Sequence, residues 1–178
     1  KTPGLFFSGH IANWEISSLG ASQFGLKVHL VYRQANNPFF DKLIQKSRNS
    51  LDSDWYPKGG EGAKAIVRTL KMGESIAMLV DQKMNDGISV PFLGLEAMTA
   101  PALAELALRY NCVILPVRVE RLNGAKFRVT LYPPVDKPNS GDKDSDILAI
   151  MTEINQILGD WINERPEQWL WVHNRWPD

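Results

Sequence analysis

The sequence predicts an α/β domain, a mixed and mostly parallel sheet flanked by helices. Three observations predict it. Short runs rich in β-branched and aromatic residues alternate with longer runs of helical periodicity, as in strands joined by helical crossovers. The 178 residues suffice for one domain with a sizeable core, so 1–178 is read as a single domain. Asn123-Gly124 between two strand-like runs signals a hairpin, which adds an antiparallel pair to the parallel set.

The elements follow in order. Gly4–Gly9 reads as a strand, and Asn13 to about Phe24 as a helix with Trp14, Ile16, Leu19 and Phe24 at its apolar positions. Lys27–Arg33 is a second strand. Asn37-Pro38 opens a helix, since proline is tolerated in a first turn; Phe39, Leu43 and Ile44 mark one face. Gly62–Met72 repeats Ala65, Ile66 and Leu70 at helical spacing, and Gly73 is its stop. Ser75–Val80 is an apolar strand ending at Asp81, and Ala100–Tyr110 an Ala/Leu-rich helix. Val113–Glu120 and Lys126–Tyr132 are the hairpin strands. A Pro/Gly-containing loop covers Pro133–Asp142, a long amphipathic helix Asp146–Asn163, and an aromatic tail Gln168–Trp176.

The bulk numbers exclude some classes. Apolar residues make up 44% and charged residues 22%, which argues against disorder. Twenty basic and 20 acidic residues leave zero net charge, so no nucleic-acid partner is expected. Cys112 is the single cysteine, which rules out an internal disulfide; its apolar neighbours predict a buried, inert thiol. No run approaches the roughly 18–20 apolar residues of a membrane-spanning helix, and no signal peptide is visible. The chain begins at Lys1 rather than Met and enters a core-like strand at once. The expectation is that the natural protein continues N-terminally, with a membrane anchor in that part.

Chemistry concentrates in Ser8-Gly-His-Ile-Ala-Asn-Trp-Glu15, where an apolar strand runs through Gly9 into His10 and then a helix start. Strand ends in α/β sheets present side chains to a cleft, Gly9 permits close backbone approach, and histidine is the natural general base near neutral pH. Glu15, in the helix's first turn, is placed to reach back to one imidazole nitrogen and fix the tautomer. The competing reading makes Glu15 a partner of the helix dipole only. Asp81 ends its own apolar strand and belongs at the same sheet edge as His10. It either orients Arg48 or a substrate hydroxyl, or forms a turn before Asn85-Asp86-Gly87. His29 lies within a strand and reads as structural, and His173 in the tail as packing or hydrogen bonding. With His10 they are too scattered for a metal site. Trp169, Trp171 and Trp176, beside Arg165 and Arg175, fit either a membrane interface or core packing, and the alternation at 169–173 suggests one face inward.

Gly9-His10-x4-Glu15 resembles the His-x4-Asp/Glu motif of glycerolipid acyltransferases, and its Glu form resembles the late acyltransferases of bacterial lipid A biosynthesis, the lauroyl/myristoyl acyltransferase family. The similarity runs along essentially the whole chain. It includes Val31-Tyr32-Arg33 with Asn37-Pro38-x-x-Asp41, and Ser47-Arg48. Val80-Asp81-Gln82 through Val90-Pro91-Phe92-Leu93-Gly94 and Leu115-Pro116-Val117 follow, then Arg165-Pro-Glu-Gln-Trp-Leu-Trp-Val-His-Asn-Arg175. Two positions depart from the pattern: Gln34 stands where proline is usual, and Gln82 where some members carry histidine.

The resemblance implies a glycerolipid-acyltransferase-like fold and an enzyme at the cytoplasmic face of the bacterial inner membrane. Such an enzyme transfers a fatty acyl group from an acyl carrier protein thioester to a hydroxyl of a lipid A precursor. The implied roles are His10 as base and Glu15 as its orienter, with Arg33 and Arg48 as anchors for phosphate or oxyanion, which a guanidinium grips in a bidentate fashion. No cofactor is implied, because the thioester is a co-substrate. Three alternatives stand beside this reading. One is an acyl-CoA-dependent acyltransferase acting on another glycolipid or a lysophospholipid. Another is a hydrolase, disfavoured by the lack of a Gly-x-Ser-x-Gly elbow. The third is a lipid-binding module without catalysis.

Overall fold

The computed structural model describes residues 2–32, 37, 39–42, 46, 54–171 and 174–176. These form a six-stranded sheet and a separate two-stranded hairpin of β5 (Lys83–Phe92) and β6 (Leu95–Thr99). The strands of the main sheet are β1 (Gly4–Ser8), β2 (Val28–Tyr32), β3 (Trp55–Pro57), β4 (Ser75–Leu79), β7 (Val113–Asn123) and β8 (Lys126–Leu131), in the order β3-β2-β4-β1-β7-β8. Every neighbouring pair is parallel except β7 and β8. The mixed, mostly parallel α/β architecture is therefore the one the sequence pattern predicts. β1 lies between β4 and β7, and four of its five residues are buried, as befits an interior parallel strand covered on both faces.

The helices that accompany the sheet include α1 (Ile16–Gln23), α2 (Gly60–Lys71), α3 (Ala102–Arg109) and α4 (Lys143–Glu164), and residues 39–42 are helical as well. In α2 the buried positions Ile66, Thr69 and Leu70 face inward, and Gly73 ends the helix at φ 74° as its C-terminal glycine. Helix α4 starts three residues earlier than its apolar periodicity suggests, because Asp142 caps it by accepting the Asp144 N–H at 3.1 Å. Its buried Ile147, Ile150, Met151, Ile154, Leu158 and Trp161 recur at spacings of three and four and supply much of the core. Trp161 stacks on Phe7 of β1 at 6.5 Å.

Two elements escape the sequence pattern. Strand β3 has only three residues, too few to show alternation. The hairpin of β5 (Lys83–Phe92) and β6 (Leu95–Thr99) turns through Leu93 and Gly94, at φ 51° and 83°. Positive φ at both turn positions is the usual geometry of a tight hairpin, but leucine is a rare occupant. It is held because its side chain seats against Gly159 of α4, where an added Cβ would lie 3.4 Å from Leu93 Cδ2. Asn85-Asp86-Gly87, before which Asp81 was weighed as a turn former, lies inside β5, where the register slips between Lys83 and Ile88. Asn155 of α4 ties the hairpin down by donating to the Pro91 carbonyl at 3.1 Å and to Thr99 Oγ1 at 3.3 Å.

At Gly87 a Cβ would sit 2.2 Å from the Thr99 carbonyl oxygen and 3.0 Å from that of Met84, both backbone atoms. Gly87→Ala is expected to destabilise the protein by about 2–3 kcal/mol, read as a lower urea midpoint with an unchanged slope.

Candidate active site

Parallel pairing of β1 with β4 builds the site. The last register pair is Ser8 with Leu79, and the Val80 N–H continues the ladder onto the Ser8 carbonyl at 3.1 Å. Two residues beyond that pair stand His10 and Asp81, both past the C-terminal ends of their strands, where α/β sheets open their crevices. Asp81 Oδ1 accepts from His10 Nδ1 at 2.7 Å, and Oδ2 accepts the His10 backbone N–H at 2.9 Å. A third donor arrives from the tail, the Trp169 indole N–H on Oδ2 at 2.9 Å. Gly9 packs against this carboxylate: an added Cβ would lie 3.4 Å from Asp81 Cγ and Oδ2. The close approach that Gly9 permits is therefore to the protein's own Asp81.

The electrostatics follow from this packing. Asp81 is 3% exposed, and burial pushes its carboxyl upward. The hydrogen bonds and charge from His10, with the Trp169 bond, outweigh that and leave it below the usual carboxylate range. An ionised acceptor on Nδ1 assigns the proton to that nitrogen and leaves Nε2 as the basic lone pair. Gln82 brings its side-chain amide to 3.3 Å from Nε2, and the Trp14 ring meets the imidazole edge-to-face at 4.8 Å. This arrangement can accept a proton at Nε2 and stabilise the resulting imidazolium from behind.

The loop carrying His10 is stitched to the C-terminal tail. The Ala12 N–H donates to the Gln168 carbonyl at 2.7 Å, the Leu170 N–H donates to the His10 carbonyl at 2.8 Å, and Ile11 bridges Trp169 antiparallel. Ala12 turns the chain toward α1 at φ 52°, an unusual value for a residue with a Cβ. Arg175 is 1% exposed beneath the tail, donates to the Met98 carbonyl at 2.8 Å and Thr99 Oγ1 at 2.7 Å, and lies over the Phe92 ring at 4.9 Å. Burial pulls its guanidinium down and the negative charge of Asp81 pulls it up, so this buried cation stands within the field of the dyad.

Sequence reading placed Glu15 on an imidazole nitrogen. The structure gives Nδ1 to Asp81, because adjacent parallel strands deliver the two side chains to the same edge; Glu15 occupies the N-cap position of α1. Asp81 holds His10, and the sequence reading of Asp81 as an orienter of Arg48 falls on a residue outside the described ones. Arg33, Arg48 and His173 lie outside the described residues, as do the apolar markers Leu43 and Ile44. His29 is 1% exposed at the start of β2, with Nε2 on Glu74 at 2.8 Å and its ring stacked on Tyr56. Cys112 is fully buried, and burial raises its thiol, with the Lys137 charge opposing. A cavity of about 670 Å³ between α4 and the proline-rich stretch after β8 is lined by Arg118, Tyr132 and Trp161 and is separate from His10. Among the described residues 169–171 the tail does not alternate in and out. Leu170 and Trp171 are both exposed, Trp171 by 60%, while Trp169 tucks its polar end under the site and stacks its ring on Trp171 at 5.8 Å. Sequence reasoning missed the link from Trp169 to Asp81; its one signal was the crowding of Trp169, Trp171 and Trp176 into the tail.

The family model described as bacterial lipid A biosynthesis acyltransferase matches residues 1–178. The chain belongs to this family. It is also similar to the lipid A biosynthesis lauroyltransferase of Escherichia coli (strain K12), at 26% identity over 168 residues, covering 88% of this chain and 51% of that protein. The chain thus spans about half the length of the curated relative it matches. Among the described residues no helix is long and apolar enough to cross a membrane.

The lowered Asp81 carboxyl fixes a sign. A group depressed in the native state contributes stability that is complete above its unfolded value, about pH 4, and is lost as pH falls through the native value. Urea midpoints measured from pH 5 to pH 2 are expected to fall more steeply for the parent than for Asp81→Asn.

Proposed function

We propose that the protein transfers a fatty acyl group from an acyl carrier protein thioester to a hydroxyl of a lipid A precursor, with His10 as general base. The observation that carries the proposal is the imidazole whose Nδ1 is held by a buried carboxylate, leaving Nε2, 3.3 Å from the Gln82 amide, as its basic nitrogen, in a chain of this family. The acceptor hydroxyl donates its proton to Nε2 while its oxygen attacks the thioester carbonyl. The tetrahedral oxyanion collapses to the ester and expels the thiolate, and the imidazolium returns the proton to sulfur. Asp81 stabilises the imidazolium between those two transfers. Arg33 and Arg48 are assigned to the phosphates of the acceptor or to the oxyanion. Glu15, the carboxylate of the His-x4-Glu pattern, is retained as the second reading for the orienter. No cofactor has a part, because the thioester carries the activated acyl group.

A membrane surface is proposed as a partner, at the cytoplasmic face of the bacterial inner membrane. Its support is the lipid nature of the acceptor and the exposure of Leu170 and Trp171 next to the site. The relative's name points to a lauroyl chain as the first donor to try.

The test is transfer by the full-length protein with lauroyl thioesters of acyl carrier protein and of coenzyme A, offered with a lipid A precursor or with other glycolipids. The acyl carrier protein thioester and lipid A precursor are expected to give product. Turnover only with coenzyme A and another glycolipid would favour the alternative acyltransferase. Free fatty acid as the sole product would favour a hydrolase, and binding without turnover a lipid-binding module. His10→Ala is expected to lose roughly 10²–10⁴-fold in kcat. Asp81→Asn is expected to lose about 10³-fold and more than Glu15→Gln; the reverse order would return the orienting role to Glu15.

A further inference from the structure

Three N–H groups hold Asp81, but two of them, the ring Nδ1–H and the backbone N–H, belong to His10 itself. The ring bond moves with the imidazole, and the backbone bond ties Oδ2 only to the loop that carries the imidazole. The third comes from Trp169, 88 residues further along the chain. We propose that Trp169 is a positioning residue for acyl transfer: its indole N–H anchors Asp81 Oδ2 so that Oδ1 is presented to His10 Nδ1. The inference deepens the reading of His10 as general base and rests on it.

The geometry supports the role at each joint. A carboxylate turns easily about its last torsion, so an external donor on one oxygen is what selects a single orientation. The donor is itself immobilised. The Trp169 backbone bridges Ile11, and its ring lies flat on Trp171, with an interplanar angle of 3°. Its other side meets Phe92 edge-to-face at 5.9 Å, and Phe92 is covered in turn by Trp176 and the buried Arg175. The bridge also fixes the main chain that carries His10, since Leu170 donates to the His10 carbonyl. One residue thus sets both the base's loop and the carboxylate behind the base. The same N–H draws on the charge of Asp81 and moderates how strongly it holds the imidazolium. The competing account is that a half-buried indole simply takes the nearest acceptor for its N–H.

The two accounts differ in pH–rate behaviour. In the full-length protein assayed with lauroyl acyl carrier protein, Trp169→Phe keeps an aromatic ring and removes the N–H. It is expected to lower kcat roughly ten- to hundredfold while leaving the KM for the thioester within about twofold. The acid limb of kcat/KM is expected to move to higher pH, because a carboxylate relieved of one donor holds the imidazolium more tightly. A purely structural role would lower the amount of active protein without moving that limb. Should Trp169→Phe fail to fold, replacing Trp169 by β-(3-benzothienyl)alanine keeps the bicyclic shape with sulfur in place of N–H. The same drop and the same displaced limb are expected, with an unchanged melting temperature. A benzothienyl protein with the parent's kcat and acid limb would overturn the proposal. If His10→Ala is inactive in that experiment, the base reading stands and only the role of Trp169 falls; if His10→Ala transfers acyl groups at the parent rate, the base reading falls as well.

Discussion

A carboxylate buried as deeply as Asp81 is unfavourable by itself, and the N–H groups that converge on it make it tenable. The rest of the sheet edge follows from that requirement. Parallel pairing of β1 with β4 brings His10 level with Asp81, Gly9 leaves room for the carboxylate, and the tail crosses over to complete its hydrogen bonding. The imidazole gains a fixed tautomer as a by-product of satisfying a buried charge, so stability and chemistry depend on the same three bonds.

The tail from Arg165 to Trp176 works as a clamp between the site and the β5-β6 hairpin. At one end Gln168 and Leu170 exchange backbone bonds with the His10 loop. At the other, Arg175 and Trp176 bond to Met98, Thr99 and Phe92 of the hairpin. Thr99 receives both Arg175 and Asn155, so the tail, the hairpin and α4 share one buried polar node. Placing an arginine there is costly in solvation. The Phe92 ring, two good acceptors and the nearby charge of Asp81 compensate.

Much of this was legible in the sequence, for definable reasons. Long periodic segments such as α4 and the strands flanking Asn123-Gly124 announce themselves through spacing and turn chemistry. The placement of His10 and Asp81 at one edge followed from two apolar strands that each end in a polar residue. Their pairing with each other did not, because strand order is a long-range property; the motif's sequence-local Glu15 was favoured over an aspartate 71 residues away. Strand β3 was too short to show a period. The β5-β6 hairpin was hidden because Leu93, and not asparagine or glycine, fills a left-handed turn position whose strain is offset by contact with Gly159. The tail's tryptophans were ambiguous because a single residue serves two ends at once: the Trp169 ring packs among aromatic neighbours while its nitrogen serves Asp81.

The clamp has a consequence for the order in which the site's parts appear along the chain. All the strands of the main sheet precede residue 132, and the dyad's two members precede residue 82, yet the last hydrogen bond on the carboxylate waits for residue 169. The hydrogen bond that completes the carboxylate's set is thus contributed by a segment that follows every strand of the main sheet and helix α4.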